Sequence, residues 1–324
     1  MSDQDSRNLA ATAQSPAVLD LGDDPAAVLV AAAWAQAAAV STMRDALSAP
    51  MDQVLAAHPE RTAVLERVGL VERGPDGPVP HASLLAQDNG VATARLEARL
   101  SALRQAVAVA AGETPGSWAD HDDSVLLHQG RASAGTGRAL AERLVPQLPG
   151  LAAKLDTPGA RVLDVGTGIA ALAIALARSL PHVEVLGIDI AQRPLTLARQ
   201  EIDAAEDVAA RVSVRRQDVT DIAERDAFDL IWLPAPFLSE KVLEAALPAL
   251  VAALAGDGWI IVGTNPVSAD PLTAAVDRWN AARGNGSAYD SAHAAADLTA
   301  AGLTDVRSFP TVPGGPILVA ARRP

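Results

Sequence analysis

Three acidic residues sit just after three short apolar runs, and the first of them is set in a glycine turn. The stretch Arg161-Val-Leu-Asp-Val-Gly-Thr-Gly-Ile-Ala-Ala-Leu-Ala-Ile-Ala-Leu-Ala reads as a buried strand, a tight turn and a helix. Gly166 permits the turn, and Gly168 lets a ligand come close to the backbone. The next apolar run ends at Asp189, 23 residues after Gly166. A carboxylate at that place can accept hydrogen bonds from a ribose diol.

That much suits NAD as well as S-adenosylmethionine. Two residues favour the second. Asp164 stands two positions before Gly166, where its charge attracts an amino group and opposes a pyrophosphate. Gln217-Asp218-Val219 follows the third run. Asp218 can accept from the exocyclic amine of adenine while Val219 packs on the ring. Acids on three successive strand ends suit a ligand with an amine, a sulfonium, a ribose and an adenine.

The elements that position these acids follow from apolar patterning. Runs at Ala160–Val165, Val183–Ile188, Arg211–Arg215, Phe228–Leu233, Gly258–Gly263, Thr304–Pro310 and Pro316–Ala321 alternate with helical patterns. This predicts a mostly parallel sheet covered on both faces. The last two runs are joined around Pro313-Gly314-Gly315, too short for a helix, so they form an antiparallel hairpin. Before residue 112 the chain reads as helices: from Pro25 to about Leu47, Met51 to His58, and Pro59 to Val68. A hairpin around Asp76-Gly77 and a long helix from Val91 to Ala111 follow. Three helices and a hairpin outline a winged helix. The boundaries expected are a disordered tail over 1–20, a helical winged-helix-like dimerisation domain over 21–112, and a cofactor-binding domain over 113–324.

Residues from about 160 to 324 resemble the class I S-adenosylmethionine-dependent methyltransferases. The resemblance is carried by VLDVGTGIAALAIALA, VLGIDI, VSVRRQDV, FDLIWLPAPF, GWIIVGTN and LTAAGLTDVRSFP. It implies a Rossmann-like α/β fold with a seven-stranded sheet whose last strand is antiparallel. It implies S-adenosylmethionine as cofactor and S-adenosylhomocysteine (SAH) as product. By the same resemblance Asp164 lies near the methionine amino group, and Gly166, Thr167 and Gly168 form the turn beneath the methionine. Asp189 holds the ribose, Ile190 flanks the adenine, Asp218 and Val219 frame its amine edge, and Leu233 closes the fourth strand end. The third glycine of the usual pattern is Ala170 here, small enough for helix packing to survive. With the N-terminal outline, the chain is similar to the dimeric small-molecule O-methyltransferases of secondary metabolism.

Those enzymes place a general-base His a few residues beyond the fourth strand. Leu238 stands there instead, in Phe228-Asp-Leu-Ile-Trp-Leu-Pro-Ala-Pro-Phe-Leu-Ser-Glu-Lys. The amino-methyltransferase signature, a polar residue before Pro-Pro and an aromatic, is also missing from Leu233-Pro-Ala-Pro-Phe237, which argues against DNA-adenine or protein-glutamine methylation. Methyl transfer then rests on proximity and orientation, or on a base from the segment before residue 160. His128, beside Leu126 and Leu127, is the candidate base; the alternative is a satisfied, half-buried His. Trp118, His121, Arg131, Trp232, Phe237 and Asn265 are candidate substrate-pocket residues, with Tyr289 and the loop after Arg283 as weaker ones. Against each stands a plain structural role: a solvated helix start for His121, an ion pair for Arg131, core packing for Trp232 and Phe237. No metal is expected, because Asp120-His121-Asp122-Asp123 cannot all face one ion.

Composition narrows the partners. The 324 residues hold no Cys, 26 basic and 39 acidic side chains, for a net charge of −13. Disulfides, thiolate nucleophiles and Cys-ligated metals are excluded. Residues 1–110 carry 8 basic and 13 acidic side chains, a net of −5, so a DNA-binding role for the winged-helix outline is disfavoured. The Ala-rich run Ala26–Val40 is apolar nearly all round, which points to burial in a homodimer. At about 15 residues it is too short to span a bilayer. A cytoplasmic enzyme of natural-product methylation acting on a small molecule is the expectation. Two alternatives remain: the same fold turned to cyclisation, rearrangement or decarboxylation, and a ligand-sensing transcription regulator.

Overall fold

A computed structural model describes residues 24–86, 89–112, 120–266, 268, 270–283, 286–287, 289–311 and 316–324. The expected tail over 1–20, Trp118 and most of the loop after Arg283 lie outside the described residues.

The N-terminal part holds α1 (Pro25–Asp45), α2 (Met51–Ala57), α3 (Pro59–Arg67), and an antiparallel hairpin of β1 (Val71–Gly74) and β2 (Gly77–Pro80). The long α4 (Asn89–Ala110) follows. Asp24 caps α1 by accepting from the Ala27 N–H. The C-terminal half of α1 is buried through Ala35, Ala39, Val40 and Met43, against a core with Leu55, Leu65, Val71 and Leu96. Its first ten residues are exposed. The helix runs past the Ala-rich run because Ser41, Thr42, Met43 and Arg44 keep helical backbone. At 21 residues it is long and apolar enough to cross a membrane by length and composition alone, a correction to the shorter stretch read from sequence.

Next come α5 (Asp123–Ala139), extended by a wider turn over Leu140–Leu144, and α6 (Leu151–Leu155). The sheet region then alternates β3 (Ala160–Val165), α7 (Ala171–Ser179), β4 (Val183–Asp189), α8 (Gln192–Ala204), β5 (Val212–Arg216), β6 (Phe228–Pro234), α9 (Glu240–Ala253) and β7 (Leu254–Pro266). It ends with α10 (Pro271–Arg283), α11 (Ser291–Ala300), β8 (Thr304–Pro310) and β9 (Pro316–Arg322). The strand order is β5-β4-β3-β6-β7-β9-β8. The sheet is parallel from β5 to β7, and β9 is antiparallel to both its neighbours. The Rossmann-like seven-stranded sheet with an antiparallel last strand is thus present.

Alternation along β6 feeds two cores. Leu230 and Trp232 face α5–α8, while Ile231 and Leu233 face α9 and α11. In α7 every residue from Ala171 to Ala177 is buried, because the helix is apolar all round and lies between the sheet and α5. Two glycines let α5 press that close. A Cβ on Gly137 would lie 2.7 Å from the Leu172 carbonyl oxygen, and one on Gly130 would collide with Ile169.

Candidate functional site

The C-terminal ends of β3, β4 and β5 gather the three acids on one edge. Asp164 is 2 % exposed, and its carboxylate accepts from the Thr167 hydroxyl at 2.7 Å. Burial pushes it up to about 7; the Thr167 hydrogen bond opposes that shift, and the nearby charge of Asp189 adds to it. Thr167 is itself fixed, its N–H donating to the Ile188 carbonyl at 2.9 Å. Gly187 leaves it room: a Cβ there would strike the Thr167 side chain.

Asp189 ties the turn to the next strand. Its Oδ2 accepts from the Gly168 N–H at 3.0 Å, and its Oδ1 from the Ala191 N–H at 2.8 Å. Burial raises its pKa against those two hydrogen bonds. Asp218 accepts through Oδ1 from the Thr220 N–H and hydroxyl at 2.9 and 2.8 Å, and Oδ2 carries no bond among the described residues. Val219 is buried beside it, Ile190 is exposed on the β4 side, and Leu233 is buried at the end of β6.

Gly166 and Gly168 take left-handed backbone with φ of 65° and 56°. Ala170, in the place of the third glycine, does so too, at φ 63°. Size alone is therefore not what the position asks for. An L-residue there carries strain of roughly 1–2 kcal/mol that glycine avoids.

The candidate pocket residues spread apart. Trp232 is buried over Gly263, whose Cβ would lie 2.7 Å from the indole, so Trp232 builds core behind the strand end. Phe237 is exposed just beyond β6. Asn265 donates its amide to the Ser287 carbonyl at 2.5 Å, and its N–H to the Tyr289 carbonyl at 3.0 Å. It pins the chain after α10 to the strand ends. Tyr289 turns its hydroxyl to Asp297 at 2.5 Å, and burial with that bond raises its pKa. His121 is half-buried ahead of α5. Arg131 is held by Glu201 of α8, with Nη2 to Oε1 at 2.8 Å. His128 pairs through Nδ1 with Glu97 of α4. Gly130 faces Ile169 of the glycine turn, and two residues along a helix is a rotation of about 200°, so His128 points to the opposite side. Sequence reasoning missed Glu97 and the Thr167 hydroxyl; a hydroxyl within three residues of a buried acid was the available signal.

These residues fit S-adenosylmethionine. Asp164 is a buried carboxylate whose only hydrogen-bond partner among the described residues is a hydroxyl, which calls for a cation. Two close acids would repel a pyrophosphate. Among the described residues no group of three or more His, Asp or Glu is placed to hold a metal.

The family-model match to known proteins spans this edge. Residues 162–258 match the family model described as a methyltransferase domain. The release factor glutamine methyltransferase of Rhodopirellula baltica is 33 % identical over 109 residues, 33 % of this chain and 36 % of that protein. Its namesake from Bacteroides thetaiotaomicron is 34 % identical over 96 residues, 29 % of this chain and 34 % of that protein. The matches thus span about a third of the length of these curated relatives. Solved structures align over nearly the whole chain. A putative O-methyltransferase from Nostoc punctiforme has a TM-score of 0.61 at 19 % identity, covering 93 % of this chain and 100 % of its own. The pyocyanin biosynthetic protein PhzM has 0.61 at 18 %, covering 91 % and 97 %. CalO1, a methyltransferase in calicheamicin biosynthesis in its SAH-bound form, has 0.58 at 20 %, covering 91 % and 94 %. The chain resembles class I S-adenosylmethionine-dependent methyltransferases in its glycine-turn sequence and in its fold.

Proposed function

We propose that this chain is an S-adenosylmethionine-dependent methyltransferase acting on a small, electron-rich metabolite of natural-product type. The observation that carries the reading is the joined unit of Asp164, Thr167, Gly168 and Asp189, with Asp218 on the next strand. When bound, the cofactor supplies an electrophilic methyl on a sulfonium. Asp164 would meet the methionine ammonium, and Gly166, Thr167 and Gly168 would lie under the methionine. Asp189 keeps lone pairs for the ribose hydroxyls. Ile190 and Val219 would flank the adenine, with Asp218 at its amine edge and Leu233 behind the fourth strand end.

The end of β6 favours a small-molecule acceptor over a protein amide. Pro234 and Pro236 have no N–H, and the Ala235 carbonyl is engaged by the Ser287 hydroxyl at 3.3 Å and the Leu238 N–H at 3.0 Å. Leu233-Pro-Ala-Pro-Phe237 offers no Asn or Asp side chain to accept from a neutral amide nitrogen. A phenolate or enolate needs none. Proximity and orientation then carry the rate, with His128 holding α4 to α5 rather than taking the proton. His121, Phe237 and Asn265 stay the candidates for a substrate rim. The exposed half of α1 is read as the homodimer contact of a winged-helix-like unit, and the protein as cytoplasmic.

Calorimetry with SAH and with NAD tests the core of this reading. SAH should bind stoichiometrically and NAD should not. NAD bound more tightly than SAH would overturn the assignment.

A further inference from the structure

The helix α10 wears its apolar side outward. Leu272, Val276 and Trp279 are 51 %, 41 % and 56 % exposed. At about 100° per residue they fall within one sector of roughly 60°. Ala274 and Asp277, which are half-buried, lie on the opposite side, about 140–200° from Leu272 around the axis. A surface helix is ordinarily turned the other way, with its large apolar stripe against the body. One end of the stripe is closed by a cation: the Arg283 guanidinium lies over the Trp279 ring, 5.6 Å from its centroid.

A second apolar surface of the same kind is the first half of α1. Both are exposed together, so the chain does not cover one with the other. Arg61 holds the far end of α1 in the N-terminal core through Ser41 and Asp45. That leaves a second copy to bring the two surfaces together. Their chemistry matches. From Pro25 to Val40 α1 has no charged side chain. The α10 stripe from Leu272 to Trp279 has none either, since Asp277 and Arg278 lie off it. Pressing one on the other strands no charge away from water. Their size matches as well. The exposed side chains of the two faces offer several hundred Å² per chain, the scale of the about 800 Å² that each partner buries in a standard interface. Having both faces on one chain also closes the assembly, because under a two-fold axis each copy gives one α1 and receives one.

We infer that α10 is the seat for the α1 of a second copy, so that α1 is clasped between the partner's α1 and the partner's α10. The inference rests on the homodimer reading of α1 and adds the surface that receives it. Val28 and Val30 point about 200° apart, and the two partner helices take one side each.

Because the chain has no Cys, two introduced thiols report one contact. The full-length double variant, Val30→Cys with Val276→Cys, is treated with a short bismaleimide and run on a denaturing gel, and its linked peptides are read by mass spectrometry. A link between positions 30 and 276 in the dimer band is expected. A dimer without that link, whatever else it joins, overturns the inference and leaves the homodimer reading intact. The same link confined to the monomer band also overturns it, since the chain would then cover its own stripe. A wild-type chain that sediments as a monomer removes the homodimer reading and this inference with it. Val276→Glu with Trp279→Ser should weaken the dimer at least tenfold by sedimentation, and SAH affinity should hold. Both side chains are exposed, so the fold tolerates the change. An unchanged dimer constant in that variant overturns the seat on α10.

Discussion

The Gly168 N–H donates to Asp189 Oδ2 at 3.0 Å, so the glycine turn after β3 and the acid ending β4 are one mechanical unit. Asp189 therefore does two things at once. It orders the turn, and in the proposed function its remaining lone pairs take the ribose hydroxyls. Asp189→Ala should weaken SAH by about 1–3 kcal/mol, the range for hydrogen bonds to a charged group. It should also lower the melting temperature of the free protein, since Gly168 and Ala191 lose their acceptor. Calorimetry and a thermal melt read the two effects separately. Full SAH affinity in a destabilised variant would limit Asp189 to the structural role.

Asp164 gives the site a pH signature. Its folded pKa is raised to about 7, chiefly by burial. A bound ammonium favours the carboxylate, so binding releases a proton when the free protein holds one. SAH affinity should fall as pH drops from 8 to 6, by no more than tenfold per pH unit. The stability of the free protein should move the other way. A raised carboxyl pKa means the folded state holds the proton more tightly than the unfolded chain. The contribution is full below the unfolded pKa and is lost as pH rises toward 7. Asp164→Asn should bind SAH more weakly, without that slope. A slope unchanged in Asp164→Asn would assign the titration to another group.

The sheet was legible because buried parallel strands read as continuous apolar runs. Ala160–Val165 matches residue for residue. The start of β7 was not, since Leu254 pairs with Phe228 across an irregular step before Trp259 resumes the ladder. The three acids were legible because a strand end fixes where a side chain goes. The helix α5 was not, because its roles depend on which side meets α7. Gly130 and Gly137 decide that side, and with it the outward turn of His128. Nothing in the spacing of Leu126, Leu127 and His128 tells which helix covers them.

The pair of His128 and Glu97 clamps α4 to α5, together with Gln129 accepting from the Ser101 hydroxyl at 3.1 Å and Arg104 donating to the Ser124 hydroxyl. Both members of the pair are largely buried, at 17 % and 13 % exposure. His128→Gln should lower the melting temperature and leave SAH affinity unchanged. Turnover per folded molecule, with radiolabelled methyl donor and a panel of phenols and naphthols, should fall less than tenfold. A drop of 10²- to 10⁴-fold would return the residue to general-base duty.

The exposed first half of α1 sets the last expectation. Val28, Leu29, Val30 and Trp34 are 41 %, 57 %, 60 % and 72 % exposed. Val28 and Val30 lie about 200° apart around the helix axis. One flat contact cannot cover both, so a partner must surround this half. A second copy donating its own α1 into a shared bundle does that, and a bilayer would as well. The anchored second half favours the copy. Arg61 pairs with Asp45 at 2.7 Å and bonds Ser41 at 2.7 Å, which holds the C-terminal end of α1 in the N-terminal core. Only 28 % of the most apolar window is buried in the single chain, and a dimer can supply the rest. Sedimentation at micromolar concentration should show a dimer. Val30→Glu with Trp34→Ser should yield a monomer that still binds SAH, since neither residue touches the strand ends. Flotation of the wild-type chain with neutral phospholipid vesicles, unaffected by the dimer state, would instead assign the helix to a membrane.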